Sequence, residues 1–374
     1  MYYAIQGTSI KLGGSSKSIL LPFNMPPVAK GGMLGFLSGG GGGSFTGAPF
    51  YEIIGRTSLG SAADNINVTF TGKDNIMVLS SLLNDGQIQP QSQLGGDSGS
   101  NYAYRQSFNS GSDSTATGQT FLTNYDGNVS SPWFNVEFIV NDGSEEKLLY
   151  GLGNNRESAG ASTAPHRMEN IGKWADESAQ FSSYRVTNGR GGDYDTNSEV
   201  VVLGYDNDST AGSDDSAWEL LSETVLSGSA TSISSGTIES KKYLWFELST
   251  LNSAIAYQYM RFNNTGATSQ YATRKSANGG TDSTNTSQPQ IDIYVASTSQ
   301  SYVRGWIMNI ADKEKLVIFD NVGGATGSGN VPDYRQGVGK WDSTSAAITR
   351  IDVFQGNGSE VFLAGTTLKI WGFS

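Results

Sequence analysis

Chemistry in a protein starts from nucleophiles, bases and metal ligands, and this chain has few. His166 is the only histidine and there is no cysteine. No serine or thiol nucleophile can therefore be paired with a base in the usual triad, and a histidine-based metal centre lacks its ligands. TAPHRM around His166 reads as a surface loop. The stretch DYDTNSE places Asp193, Asp195, Asn197 and Glu199 at alternate positions, which resembles the start of a calcium loop without the glycine that its turn needs. In a strand, the same alternation puts all four on the solvated face, and that is the plainer expectation. Glu146 and Glu314 recur in EKL, each followed by a lysine, which suggests a charge pair on a solvent face. The run GGGGG at 39–43 lacks the Lys-Ser/Thr ending of a phosphate loop. The sequence thus suggests no enzyme and no cofactor.

The elements that carry these residues are written twice. SNYAYRQS at 100–107 returns as SQYATRKS at 269–276, and Asp113 and Asp282 follow at equal distances. EKLL at 146–149 pairs with EKLV at 314–317, and IGKW at 171–174 with VGKW at 338–341. The offset stays between 167 and 169, which marks a duplicated domain too long for a solenoid repeat. The copies span 51–206 and 218–374, with an acidic linker at 207–217 whose composition leaves their orientation open.

Each copy is expected to be a β-sandwich. The chain has 48 Gly among 374 residues and 16% charged residues, against roughly 25% in an average domain. Gly, Ser, Thr and Asn favour turns and strand ends over helices. Short apolar runs such as FNVEFIV, SEVVVLG and ITRIDVFQ give about eight strands per copy, compatible with a jelly-roll-like arrangement.

The repeated positions are first candidates for architecture, because both copies must fold. Trp174 and Trp341 are expected in the cores, with Gly172 and Gly339 free to take positive φ. Tyr102 and Tyr271 share one strand face, and Arg105 and Arg274 the other. Each arginine is expected to pair across its loop with Asp113 or Asp282, or with a carboxylate on a neighbouring strand. Copy 1 departs from RFNN (261–264) where it reads QPQSQ at 89–93, so binding differences are to be sought where the copies diverge.

Residues 1–50 have no counterpart in copy 2. This Gly/Pro-rich arm offers Pro22, Phe23, Pro26, Pro27, Met33, Leu34 and Phe36 as contacts for docking on a partner. The arm has no basic, then apolar, start of a signal peptide, and GGMLGFLSGGGGGSF is too short and Gly-rich to span a bilayer. A net charge of −11 argues against a nucleic-acid partner.

YAYRQS and YATRKS, RFNNTG, and the doubled GKW resemble phrases of β-rich virion structural proteins of marine tailed bacteriophages. That resemblance covers about 51–374 and implies a virion component made in the host cytoplasm. It would be a tail-associated or fibre protein, or a capsid decoration, in a homo-oligomer among other virion proteins. Exposed sandwiches could meet a host-surface glycan. The alternatives are a coat protein whose sandwiches form the shell, and a carbohydrate-binding or carbohydrate-cleaving β protein.

Overall fold

The computed structural model describes residues 51–84, 86–125, 132–207, 216–254, 257–266, 269–295, 300–356 and 360–374. The arm contacts named above lie outside these residues. The first domain is built from strands β1 (Glu52–Ser58), β2 (Asn65–Thr69), β3 (Asn75–Leu82), β4 (Pro90–Leu94), β5 (Tyr102–Phe108), β6 (Ser114–Gln119), β7 (Thr123–Asn124), β8 (Trp133–Val140), β9 (Lys147–Asn155), β10 (His166–Trp174), β11 (Ser183–Asn188) and β12 (Glu199–Tyr205). The second continues with β13 (Glu219–Val225), β14 (Ser232–Ser234), β15 (Tyr243–Leu251), β16 (Tyr257–Phe262), β17 (Tyr271–Ala277), β18 (Ser283–Gln288), β19 (Ile291–Val295), β20 (Gln300–Met308), β21 (Lys315–Gly323), β22 (Asp333–Trp341), β23 (Ile351–Gln355) and β24 (Thr367–Phe373).

Each domain is a sandwich of an eight-stranded and a four-stranded sheet. The orders are β1-β12-β3-β8-β9-β10-β5-β6 and β2-β11-β4-β7, and copy 2 repeats both with every strand twelve places on. The fold is thus all-β, but among the described residues each copy has twelve strands, not about eight. The extra ones carry little apolar signal. In β4, PQSQL, the inward positions are Pro90, Ser92 and Leu94. STATGQ in β6 is an edge strand with four of its six residues exposed.

The continuous apolar runs have a different cause. In β3, Ile76, Val78 and Leu82 face the four-stranded sheet of their own domain, while Met77 and Leu79 face the other domain. β12 and β24 alternate in the same way, with Val201 and Leu203, and Trp371 and Phe373, turned toward the seam. Strands buried on both faces lose the clean polar alternation of a half-solvated sheet. The molecule is therefore a four-layer stack: small sheet, large sheet, large sheet, small sheet. The seam contains Phe134, Val136 and Leu152 from copy 1 against Trp218, Tyr243, Trp245, Trp306, Leu316 and Ile318 from copy 2.

The repeated phrases are core fastenings. Tyr102 stacks on Trp174 at 6.0 Å and 16°, and Tyr271 on Trp341 at 6.1 Å and 12°. The hydroxyl of Tyr102 accepts from the Leu94 backbone N–H at 3.1 Å, and that of Tyr271 from Phe262 at 3.0 Å, so each ties the large sheet to β4 or β16. Beside each indole lies a lysine: Lys147 Nζ is 6.0 Å from the Trp174 ring and Lys315 Nζ is 5.6 Å from Trp341. Both lysines and Glu314 are buried, which corrects the solvent-face reading of EKL for them; only Glu146 forms a solvent-face pair, across the sheet with Lys173. Their ammonium groups donate to backbone carbonyls, Glu145 and Asp176 for Lys147, and Ala311, Lys313 and Ser343 for Lys315. Burial lowers the Lys315 pKa to about 8.

Gly172 and Gly339 do not take positive φ. They are needed for close approach: a Cβ at Gly172 would sit 2.7 Å from the Leu122 carbonyl, and one at Gly339 would sit 3.0 Å from Ile291 Cδ1.

Because the seam buries tryptophans that a lone domain would expose, the two domains should unfold together. Calorimetry of residues 51–374 is expected to show one transition, and residues 218–374 expressed alone should aggregate. Two resolved transitions, or a monomeric soluble second copy, would contradict a shared core.

Candidate functional site

The seam is where side chains capable of chemistry gather. Arg105 pairs with Asp113 at 2.9 Å across its exposed loop, as the spacing suggests. In copy 2 the same loop is drawn into the seam. Asp282, only 2% exposed at its side chain, takes its closest bonds from Arg167 of the other domain, at 2.8 Å from Nη2 and 3.2 Å from Nε. Arg274 Nη1 stands 3.9 Å from Asp282, and its Nε donates to the Pro165 carbonyl at 2.8 Å. The Asp282 backbone N–H donates to Ser110 Oγ at 2.6 Å. One duplicated phrase is thus a surface clasp in copy 1 and an interdomain clasp in copy 2.

GKW behaves likewise. Lys173 is exposed and pairs with Glu146 at 3.0 Å. Its counterpart Lys340 is buried and donates to the carbonyls of Arg156 (2.9 Å) and Ser158 (2.7 Å) in copy 1, with burial lowering its pKa to about 8. Glu314 is buried there too and accepts from the Gly160 N–H at 2.6 Å. Asn154 donates one amide group to the Val317 and Gly339 carbonyls, both at 2.9 Å. The apolar positions follow suit: Leu148 and Ile171 are exposed, whereas the equivalent Leu316 and Val338 are covered.

DYDTNSE is not a solvated strand face. Asp193 and Asn197 are exposed, Asp195 is half-buried, and Asn197 turns the chain with φ 70°. Only Glu199 lies in a strand, and it is buried in the seam. It accepts from Arg56 Nε at 2.7 Å, Tyr243 OH at 2.9 Å and Ser58, and lies 2.8 Å from Lys242 Nζ. Burial raises its pKa, but the Arg56 bond and the Lys242 charge outweigh that and hold it below the ordinary value. Among the described residues no three His, Asp or Glu side chains converge as metal ligands. Thr196 and Asn197 line a crevice of about 400 Å³ between the domains, together with Lys242, Asn309 and Lys313.

His166 opens β10 and is half-buried, not on a surface loop. Its ring meets Phe108 edge-on at 4.7 Å. Glu157 lies 2.5 Å from Nε2, yet burial, with the charges of Arg274 and Lys340, dominates and lowers its pKa to about 4.

A second buried group has no signal in the sequence. Glu137 lies inside the copy 1 core and accepts from Tyr125 OH at 2.9 Å and Tyr184 OH at 2.7 Å. Burial raises its pKa to about 7, against the two hydroxyls that lower it. Cross-strand register places Gly305 at the matching position of copy 2, so this cage belongs to copy 1 alone.

The copies also diverge on the outer face of the small sheet. In β16, Gln258, Met260 and Phe262 point inward, while Tyr257, Tyr259 and Arg261 point out. Tyr257 and Tyr259 are stacked at 6.2 Å and 15°, Tyr259 lies 5.8 Å from Phe354, and the Arg261 guanidinium sits 4.2 Å over the Phe354 ring. The register of β4 and β11 places Gln89, Gln91, Gln93 and Thr187 at these four positions in copy 1. The register corrects the pairing expected from the sequence: RFNN (261–264) is equivalent to 93–96, with Gly95 and Gly96 taking the positive φ of Asn263 and Asn264, and QPQSQ (89–93) is equivalent to 257–261. Only the strand directions show that the changes share one face. Asn263, of the same phrase, has φ 52° and holds the loop by accepting from the Thr349 N–H at 2.8 Å.

Neither a protein-family model nor a curated protein matches the chain.

The clasps differ in burial, so the equivalent mutations should differ in cost. Arg167→Ala leaves Asp282 buried without its main partner and is expected to destabilise by about 3–5 kcal/mol. Arg105→Ala, at a side chain 56% exposed, should stay within about 1 kcal/mol. Urea titration of both variants checks the contrast; equal costs would contradict it.

Glu137 sets a pH dependence of definite sign. Its folded pKa stands above the unfolded value, so its contribution is complete below about 4.5 and is lost as pH rises through about 7. Glu137→Gln should therefore gain on the wild type between these values by something on the order of 3 kcal/mol, read from urea titrations across that range. A flat difference would contradict the assignment.

Proposed function

We propose that the protein is a structural component of a bacteriophage virion, a tail-associated, fibre or capsid-decoration protein held by its N-terminal arm. The observation that carries this reading is mechanical. Two copies of one sandwich are joined through the outer faces of their large sheets into a single block, with buried ion pairs around the apolar seam. Domains that move for binding or catalysis usually share smaller, more polar contacts. A rigid block with its chemistry spent on internal fastening suits a part that transmits or withstands force. The resemblance supports the same reading: YAxR and GKW supply the Tyr–Trp stacks and seam clasps, and RFNN supplies a core ring and a loop clamp. The role proposed is structural and not enzymatic.

Mass spectrometry of purified particles tests the proposal. The protein is expected in the particle at fixed copy number, few for a tail or fibre part and in proportion to the coat protein for a decoration; a particle with no other coat protein would indicate a shell protein, and absence would refute a virion role. A chain lacking residues 1–50 should fold but fail to incorporate.

A further inference from the structure

We propose that the outer face of the small sheet in copy 2 is a carbohydrate-binding platform, with Tyr257 and Tyr259 as stacking rings beside Phe354, whose ring carries the Arg261 guanidinium at 4.2 Å. This goes beyond a role in the particle and does not depend on it.

The duplication supplies an internal control for what the fold requires. Both copies have the same strands in the same order, and both place a glycine, Gly189 or Gly356, against this ladder. A Cβ at Gly189 would lie 2.7 Å from Gln91 Nε2, and one at Gly356 would run into the Tyr259 ring. The backbone framework is therefore shared, and copy 1 builds on it with Gln89, Gln91, Gln93 and Thr187. Three aromatic rings in copy 2 are not needed to form the sheet. They also do not fill a core, since Tyr257 is 43% exposed and Tyr259 and Phe354 are only half-buried.

The size and surroundings of the ladder select the occupant. With about 150–250 Å² per ring, the exposed parts amount to something on the order of 200 Å². A stable protein interface takes about 800 Å² from each partner, so these rings make a poor centre for a second copy. Their extent suits a few pyranose rings. Each pyranose has one face of C–H groups that can lie on an aromatic ring and a rim of hydroxyls that need donors and acceptors. The rim partners are present: Arg261 donates to Gln290 at 2.8 Å, and Arg350 donates to Asp352 at 2.9 Å on the adjoining strand. Nucleobases also stack on aromatic rings, but a chain of net charge −11 opposes a polyphosphate backbone. A neutral oligosaccharide meets the rings without that penalty.

The test is saturation-transfer NMR on the full chain with cellohexaose, chitohexaose and laminarihexaose, and with an oligothymidylate as the planar polyanion. Transfer from aromatic protons to the ring C–H protons of at least one sugar is expected. It should fall at least tenfold in the triple variant Tyr257→Gln/Tyr259→Gln/Phe354→Thr, which carries the residues that copy 1 folds with. Should that variant melt early, Tyr257→Gln alone, at the most exposed ring, is expected to weaken transfer severalfold at unchanged melting temperature. No transfer to any of the three sugars, transfer unchanged in the variants, or preferential binding of the oligothymidylate would each overturn the proposal.

Discussion

Everything distinctive about this molecule depends on burying the outer faces of two eight-stranded sheets against each other. An isolated sandwich leaves those faces to water, and its strands then alternate between apolar and polar residues. Here Met77, Leu79, Val201 and Leu203 meet Trp245, Trp306, Trp371 and Phe373, so the central strands are apolar on both sides. At about 25 cal/mol per Å², each fully buried indole contributes several kcal/mol before the entropy of ordering is counted. Residues that would have been surface in a single domain have become core.

An apolar seam alone would not fix how the two sheets are registered. That is set by groups too costly to bury unpaired. Asp282 needs Arg167, Glu199 needs Arg56 and Lys242, and Lys340 needs the carbonyls of Arg156 and Ser158. Sliding one sheet over the other would strand each of them in a poorly solvated place. Removing one partner of a buried pair costs several kcal/mol even where the pair itself adds little net stability. These pairs therefore act on specificity, selecting one arrangement among several that would bury similar apolar area.

The all-β class, the tandem repeat and the core position of Trp174 and Trp341 were legible from composition, from the constant offset and from aromatic size. The clasp between Arg105 and Asp113 was legible from spacing, because both ends of that contact lie within one hairpin. What was hidden depends on contacts between distant segments. Arg167 and Asp282 are 115 residues apart and belong to different copies, so neither local pattern nor repeat alignment pairs them. Glu137 sits in a strand whose other inward residues are Trp133, Asn135 and Ile139, and its partners come from a loop and from the opposite sheet. The strand count failed where inward positions were Pro and Ser. Which face of β16 looks outward followed only from the sandwich.

Duplication makes the copies controls for one another, and their differences sort by physical cause. Tyr102–Trp174 and Tyr271–Trp341 keep the same residues and geometry, and in each copy the tyrosine hydroxyl ties the large sheet to the small one. Lys173 and Lys340 keep the same residue in opposite environments: one is solvated and paired with Glu146, the other sealed in the seam and held by the carbonyls of Arg156 and Ser158. At Gln89, Gln91 and Thr187 against Tyr257, Tyr259 and Phe354, residue type changes while the backbone and the adjoining glycine stay constant. Neither the core nor the seam touches those side chains, so neither can account for exposed rings there. A constraint from outside the chain can, and its imprint is confined to the copy whose small sheet carries the rings.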